Sequence, residues 1–254
     1  MNRCARLFLF AVAMGALVGE SRATVLTFDQ SRDAATQSIV VPTSAGARVQ
    51  QDYGDRVTGS SMDVPGGQFT YGNEGEGFTL NVVVDYFTGS DVRLWTTQYG
   101  DLNNVVFARA PLAGAPDPDM LNIRLTADPG FMAELYHFDL AGWANADYVI
   151  NSVSVFSDAA TLFSQSDVAV EGNFVGPRHS SFDFISPLSA AELLIQIDFS
   201  NLAGGMQDNI GIDNIRFGQF PRPSVIPMPG GLWLLGLGLS VLIGRSRRCV
   251  TCRR

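Results

Sequence analysis

Between Thr24 and Phe220 the apolar residues recur every second position, in short runs separated by clusters of Gly, Pro, Asn, Asp and Ser. That spacing puts successive side chains on opposite faces of an extended backbone, which suits half-buried strands and not helices. The runs are Thr24–Phe28, Phe78–Phe87, Asp91–Thr96, Leu121–Ala127, Ala133–Leu140, Tyr148–Phe156, Ala191–Phe199 and Ile210–Phe217. Asp128-Pro129-Gly130 is a strong turn signal directly after one of them. No window in this stretch sustains a 3.6-residue period. Ala34 to Val49 is the least regular part and the one place left for a short helix. Many strands joined by turns, with no helices between them, predict an all-β body folded as a β-sandwich, with a jelly roll as the favoured form. In such folds the first and last strands often pair, which would bring Phe28-Asp29 beside Ile212-Asp213.

The two ends follow other rules. Arg3 and Arg6 precede an apolar core, Leu7 to Val18, and Ser21-Arg22-Ala23 puts small residues where a signal peptidase reads. Residues 1–23 therefore form a secretory signal peptide with cleavage after Ala23. That leaves 24–222 as the extracytoplasmic domain. At the other end, Ile226-Pro227-Met228-Pro229-Gly230 opens an uncharged apolar run that closes at Gly244. Counted from Val225 the run is close to the ~20 residues a helix needs to cross a bilayer. The prolines place the helix start at or after Pro229. Arg245, Arg247 and Arg248 follow at once, with Arg253 and Arg254 beyond. Basic residues stay on the cytoplasmic side, so this pattern holds the body outside. A buried core helix is the other reading of the run, and glycine richness, flanking prolines and the arginine tail all oppose it.

This segment, 225–248, resembles the bacterial PEP-CTERM sorting signals: a Pro-x-Pro turn, a short transmembrane helix and an Arg-rich end. With Met228 between the prolines and Gly230 after them, it is similar to the variant written Val-Pro-x-Pro-Ala/Gly. The resemblance implies recognition by an exosortase-type membrane protease, cleavage near the turn, and delivery to the cell surface or exopolysaccharide matrix. Tyr71–Thr79, Leu94–Leu102 and Phe138–Trp143 look like recurrent segments of such secreted proteins. Ile210-Gly211-Ile212-Asp213-Asn214-Ile215 also resembles the closing strand of jelly-roll adhesion and carbohydrate-binding modules, which implies a structural calcium near that strand.

Charge and cysteine usage narrow the function classes. Residues 24–222 hold 24 Asp plus Glu against nine Arg, a net charge of −15, and the chain has no lysine. A body this acidic is repelled by phosphate backbones, so no nucleic-acid partner is expected, whereas divalent cations and basic partners are attracted. Cys4, Cys249 and Cys252 all lie in the targeting ends. The body has neither disulfides nor thiolate metal sites, and Cys249–Cys252 lacks the second pair a zinc site needs.

Chemistry-bearing motifs are sparse. His137 lies in an alternating run and His179 in a loop, neither in a helical metal motif, and there is no Gly-x-Ser-x-Gly elbow. Gly72–Gly77 is glycine-rich, but its glutamates would repel phosphate. Glu74/Glu76, Asp117/Asp119 and Glu134/Asp139 are carboxylate pairs of the kind a glycosidase uses. So many acids produce such pairs by chance, and no catalytic residue is assigned. Calcium is the one cofactor the residues point to: Asp29, Asp208, Asn209 and Asp213 would converge as oxygen ligands if the terminal strands pair, and Asp117-Pro118-Asp119 is a second loop candidate. Trp95, Tyr99 and Trp143 are the candidates for stacking on a sugar ring; Trp95 sits in an alternating strand, where core packing is the other reading, and Trp143, after Gly142 in a loop, has the better claim to exposure.

These readings describe a non-enzymatic exported protein of the surface or exopolysaccharide matrix. Its partners are signal peptidase, an exosortase-type protease, the membrane through the C-terminal helix, and extracellular polysaccharide. A carbohydrate-binding module is the alternative, and an envelope hydrolase the third.

Overall fold

The structure, a computed structural model, describes residues 23–28, 31–32, 39–40, 46, 48–49, 53–57, 77–87, 91–110, 116–158 and 160–222. The signal-peptide pattern up to residue 22, Asp29 and the whole 225–248 segment lie outside the described residues. Among the described residues no helix is long and apolar enough to cross a membrane.

Thirteen strands are described: β1 (Thr24–Leu26), β2 (Ser31–Arg32), β3 (Ile39–Val40), β4 (Val82–Phe87), β5 (Asp91–Trp95), β6 (Val105–Arg109), β7 (Met120–Ala127), β8 (Phe131–Gly142), β9 (Tyr148–Phe156), β10 (Thr161–Val170), β11 (Ser180–Ala190), β12 (Glu192–Asp198) and β13 (Ile210–Pro221). They form two antiparallel sheets and a separate β2–β3 pair. The body is an all-β sandwich. Ile39 and Val40 are strand, which corrects the helix expected in that irregular stretch for these two residues.

One sheet runs β10-β9-β12-β7-β4. Its alternation is regular: β4, β7 and β12 bury every second residue. At its centre Ile195 faces Ile123 on one side and Val155 on the other, all three fully buried. The other sheet runs β11-β8-β13-β6-β5. Along its second edge β13 meets β6 at Gly211 and Ile212, then β1 at Ile215 to Phe217. The first and last described strands therefore pair as expected, with the register Thr24↔Phe217 to Leu26↔Ile215.

A single core fills the space between the sheets, joining Val84, Ile123 and Ile195 from one to Val106, Phe138, Leu140, Ile212 and Phe217 from the other. Burying each such side chain contributes roughly 1.5–3 kcal/mol relative to exposure. The residues next to these point the other way, as period two demands. Val105, Ala141, Tyr99 and Leu102 make a smaller apolar cluster on the outer face of the β8–β13–β6 sheet, with Trp95 and Trp143 packed against it. Asp139 and Asp213 share that outer face, two positions along from Ala141 and Gly211.

Candidate functional site

Among the described residues two recesses lie on this outer face; the loop 96–104 between β5 and β6 walls one of them and contacts the segment leading into β11. Tyr99 makes an isolated bridge to Trp143, Gly100 lies against the Arg178 carbonyl, and Asp101 bonds His179. Gly100 has φ +58, a left-handed conformation, and a Cβ there would stand 1.7 Å from the Arg178 oxygen. Only glycine permits that approach.

The first recess is a cleft of about 370 Å³ lined by Trp95, Tyr99, Phe107, Arg109, Trp143, Gly205, Asp208 and Asn209. Trp95 packs edge-to-face on both Phe107 (6.1 Å, 85°) and Trp143 (6.2 Å, 87°). This arrangement fixes the indoles, since perpendicular rings at this spacing match the aromatic quadrupoles. Tyr99 is buried and its hydroxyl donates to the Asp208 carbonyl at 3.0 Å. Gly211 lets the Tyr99 ring in: a Cβ there would lie 2.6 Å from Val105 Cγ2 and 2.9 Å from Tyr99 Cδ1. The Trp143 amide donates to the Asn209 carbonyl at 2.8 Å, and Asn209 Nδ2 donates to the Tyr148 hydroxyl at 2.9 Å. Burial raises the Asp208 carboxyl above its usual range; the charge of Asp117 adds to this and Arg109 opposes it. Burial likewise pushes the Tyr99 phenol well up, so it stays protonated. Trp143 Nε1 is buried with no hydrogen-bond partner.

The second recess is a groove of about 540 Å³ lined by Val25, Tyr136, His137, Asp139, Asp183, Phe184, Ile185, Asn214 and Arg216. Its centre is the buried Asp139. Ser181 Oγ donates to Asp139 Oδ1 at 2.6 Å, and Asn214 Nδ2 to Oδ2 at 2.9 Å. His137 Nε2 lies 3.1 Å from Asp139 Oδ1, while its Nδ1 is 2.8 Å from Asp183 Oδ1. His179 reaches the same carboxylate less closely, with Nε2 at 3.8 Å from Asp139 Oδ1 and Nδ1 at 2.8 Å from Asp101 Oδ1. Both histidines of the chain thus converge on one aspartate. Hydrogen bonding to Asp139 raises the His137 imidazole, against the effect of burial and with help from Asp183. Burial alone would raise the Asp139 carboxyl; the bonds from His137, Ser181 and Asn214 outweigh it and hold the carboxyl below its usual range. The result is an ionic, hydrogen-bonded network in which the Ser181 hydroxyl donates to a carboxylate and not to a histidine. That is not the nucleophile–base order of acyl-transfer enzymes.

The residues singled out in the sequence are redistributed. Asp208, Asn209, Trp143 and Tyr99, chosen for two different chemistries, line the same aromatic cleft. Asp213 is buried opposite Asp139 in the neighbouring network, with Oδ1 accepting the Asn214 amide at 2.7 Å. Asp213 is not among the cleft residues, so the oxygen set expected for calcium is divided between two places. Among the described residues no three His, Cys, Asp or Glu side chains are arranged to hold a metal ion. Tyr99 is a wall of the cleft, too buried to offer an open stacking face. Trp95, for which the sequence leaves both stacking and core packing open, lines the cleft. Asp117 Oδ1 accepts the Ala110 amide, and Glu134 Oε2 accepts the Tyr136 hydroxyl. Ala23 is half-buried ahead of β1. Pro227, Met228, Pro229, Gly230, Arg245, Arg247 and Arg248 lie outside the described residues.

No protein-family model matches the chain, and no curated protein sequence matches it.

Proposed function

We propose that this chain is an exported, non-enzymatic protein of the bacterial cell surface or exopolysaccharide matrix, with a jelly-roll-like body. Signal peptidase cuts after Ala23. A helix within 225–248 then holds the body at the membrane, until an exosortase-type protease reads Pro227-Met228-Pro229-Gly230 and releases or transfers it. What carries this reading is the order of the chain: a basic-apolar leader, an acidic cysteine-free β-sandwich, and a Pro-x-Pro, apolar, Arg-rich tail. Disulfide-free sandwiches with strong net negative charge remain soluble and unaggregated in such a setting. Recovery of the mature protein tests it. Intact mass should place the cuts after Ala23 and near Pro229, and fractionation should put the body with the envelope or extracellular polymer. A full-length mass in the cytosolic fraction would overturn it.

A second reading, a carbohydrate-binding module, is favoured by the cleft that gathers Trp95, Trp143, Arg109 and Asp208. Sites for small polar ligands combine an apolar wall with a few placed polar groups, and this one does. A retarded band on polysaccharide affinity gels, lost in Trp143→Ala, is the expected result. Unretarded migration on every gel would leave the matrix role without a binding function.

A further inference from the structure

The cleft also carries information about what kind of glycan it takes. We infer that it binds a neutral saccharide, one or two rings at a time, with the indoles of Trp95 and Trp143 against the ring carbons and Arg109 and Asp208 on the hydroxyls. This rests on the carbohydrate-binding reading and narrows it.

Three observations lead here. The first is placement. Residues 24–222 contain two tryptophans, Trp95 at the end of β5 and Trp143 just past β8, far apart in sequence, and both are half-buried in this one cleft. A core has no need to collect them on an outer sheet face, where the main apolar cluster does not reach. The second is polarity. The cleft sets Arg109, Asp208 and Asn209 beside the indoles, so an occupant must answer polar groups as well as apolar ones, which a sugar does and a hydrocarbon does not. The third is charge. Among the described residues Arg109 is the one cation lining the cleft, and Asp208 lines it too, with Asp117 near enough to act on Asp208. A uronate, sulfate or phosphate would bring a further anion to two carboxylates in a body of net charge −15. A neutral ring meets no such repulsion, and Arg109 with Asp208 offers it both donors and acceptors. A cleft of about 370 Å³ lies at the small end of the ~300–1,000 Å³ range of ligand sites, which limits the occupant to a short segment or chain end.

The experiment uses the full chain in detergent with Trp233→Phe, so that emission comes from Trp95 and Trp143 alone. The protein is titrated with gluco-, manno- and galacto-configured neutral disaccharides and, separately, with digalacturonate. The expected result is a saturable emission change with at least one neutral disaccharide, at roughly millimolar affinity or tighter, and none with digalacturonate. Asp208→Asn, which is nearly isosteric, and Trp143→Phe, which keeps an aromatic ring of smaller area, should each weaken binding on the order of tenfold while the protein still shows a cooperative melting transition. Equal or tighter binding of digalacturonate overturns the inference, as does binding that both substitutions leave unchanged. No response to any disaccharide also overturns it. In that last case co-sedimentation with extracellular polymer decides the broader reading separately: retained co-sedimentation leaves it standing, and loss removes both.

Discussion

Asp139 and Asp213 face each other across adjacent strands of the six-stranded sheet, and both are 4% exposed. Two carboxylates in register would repel if nothing answered their charge. Here the answer is local: His137, Ser181 and Asn214 all bond Asp139, and the Asn214 amide bonds Asp213.

Removing the hub of that network should be costly. Asp139→Ala leaves Ser181, Asn214 and His137 without their acceptor. Hydrogen bonds to a charged group contribute about 1.5–3 kcal/mol each, but not additively. A loss of about 3 kcal/mol in urea unfolding is expected. A change below about 1 kcal/mol would show that the network contributes little to stability.

The same network sets a pH window. The folded His137 imidazole is raised above its unfolded value, so its contribution is complete below about 6.5 and is lost as pH rises through the folded value. The folded Asp139 carboxyl is depressed, so its contribution is complete above about 4 and is lost as pH falls through the folded value. Thermal stability should therefore peak between these limits. The groups facing His137 are Asp139, Asp183 and, from β13, Arg216. In His137→Gln the alkaline decline should flatten while the acid decline persists. Melting curves from pH 3 to 9 provide the check, and an unchanged alkaline limb in that variant refutes the assignment.

Gly100→Ala should loosen the contact between the 96–104 loop and the segment around Arg178. The new Cβ would meet a backbone oxygen, Arg178 O, at 1.7 Å, in a left-handed conformation that alanine resists. The segment around Arg178, already exposed, must move away. Trypsin cleavage after Arg178 should accelerate several-fold under native conditions. If the cleavage rate matches the parent protein, the contact does not restrain the loop.

In the opposite sheet, Ile195→Ala should cost about 2–5 kcal/mol, because a residue flanked by Ile123 and Val155 leaves a cavity that neighbours on regular strands cannot fill. Chemical denaturation measures it. By contrast Asp128→Asn, which breaks a half-exposed pair with Arg56, should cost no more than about 1 kcal/mol.

The sandwich was legible where one face is wet and the other dry. β7 and β12 match their expected limits to within one residue because alternation there follows burial, β9 matches although its burial alternates less regularly, and the run Phe78–Phe87 becomes strand only from Val82 on. β6 was not read. Val105 packs under the Tyr99 loop and Val106 in the main core, so Val105-Val106-Phe107-Ala108 shows an unbroken apolar run. The edge strands β10 and β11 were missed for the opposite reason. β10 exposes Ser164, Gln165, Ser166 and Asp167, and β11 carries Pro187 where its register slips between Asp183 and Leu188. A proline without an N–H is tolerated at such an edge irregularity, yet in a sequence it argues against a strand.

The candidate site was legible residue by residue and illegible as a whole. Trp143, Tyr99, Asp208 and Asn209 each drew attention, but their meeting depends on β8 and β13 lying side by side, with Ile210 opposite Gly142. Nothing in local spacing encodes that register. His137 and His179 read as isolated histidines for the same reason, since Asp139 joins them only after β11 docks on β8.

β13 is hydrogen-bonded to β8 on one side and to β6 and β1 on the other. Until residues 210–221 have been made, those three strands lack their common neighbour, and the sheet cannot close by local contacts. A ribosome-bound chain ending before Ile210 should therefore stay protease-sensitive and unable to complete its tertiary structure, so the body folds only after almost all of it has been synthesised.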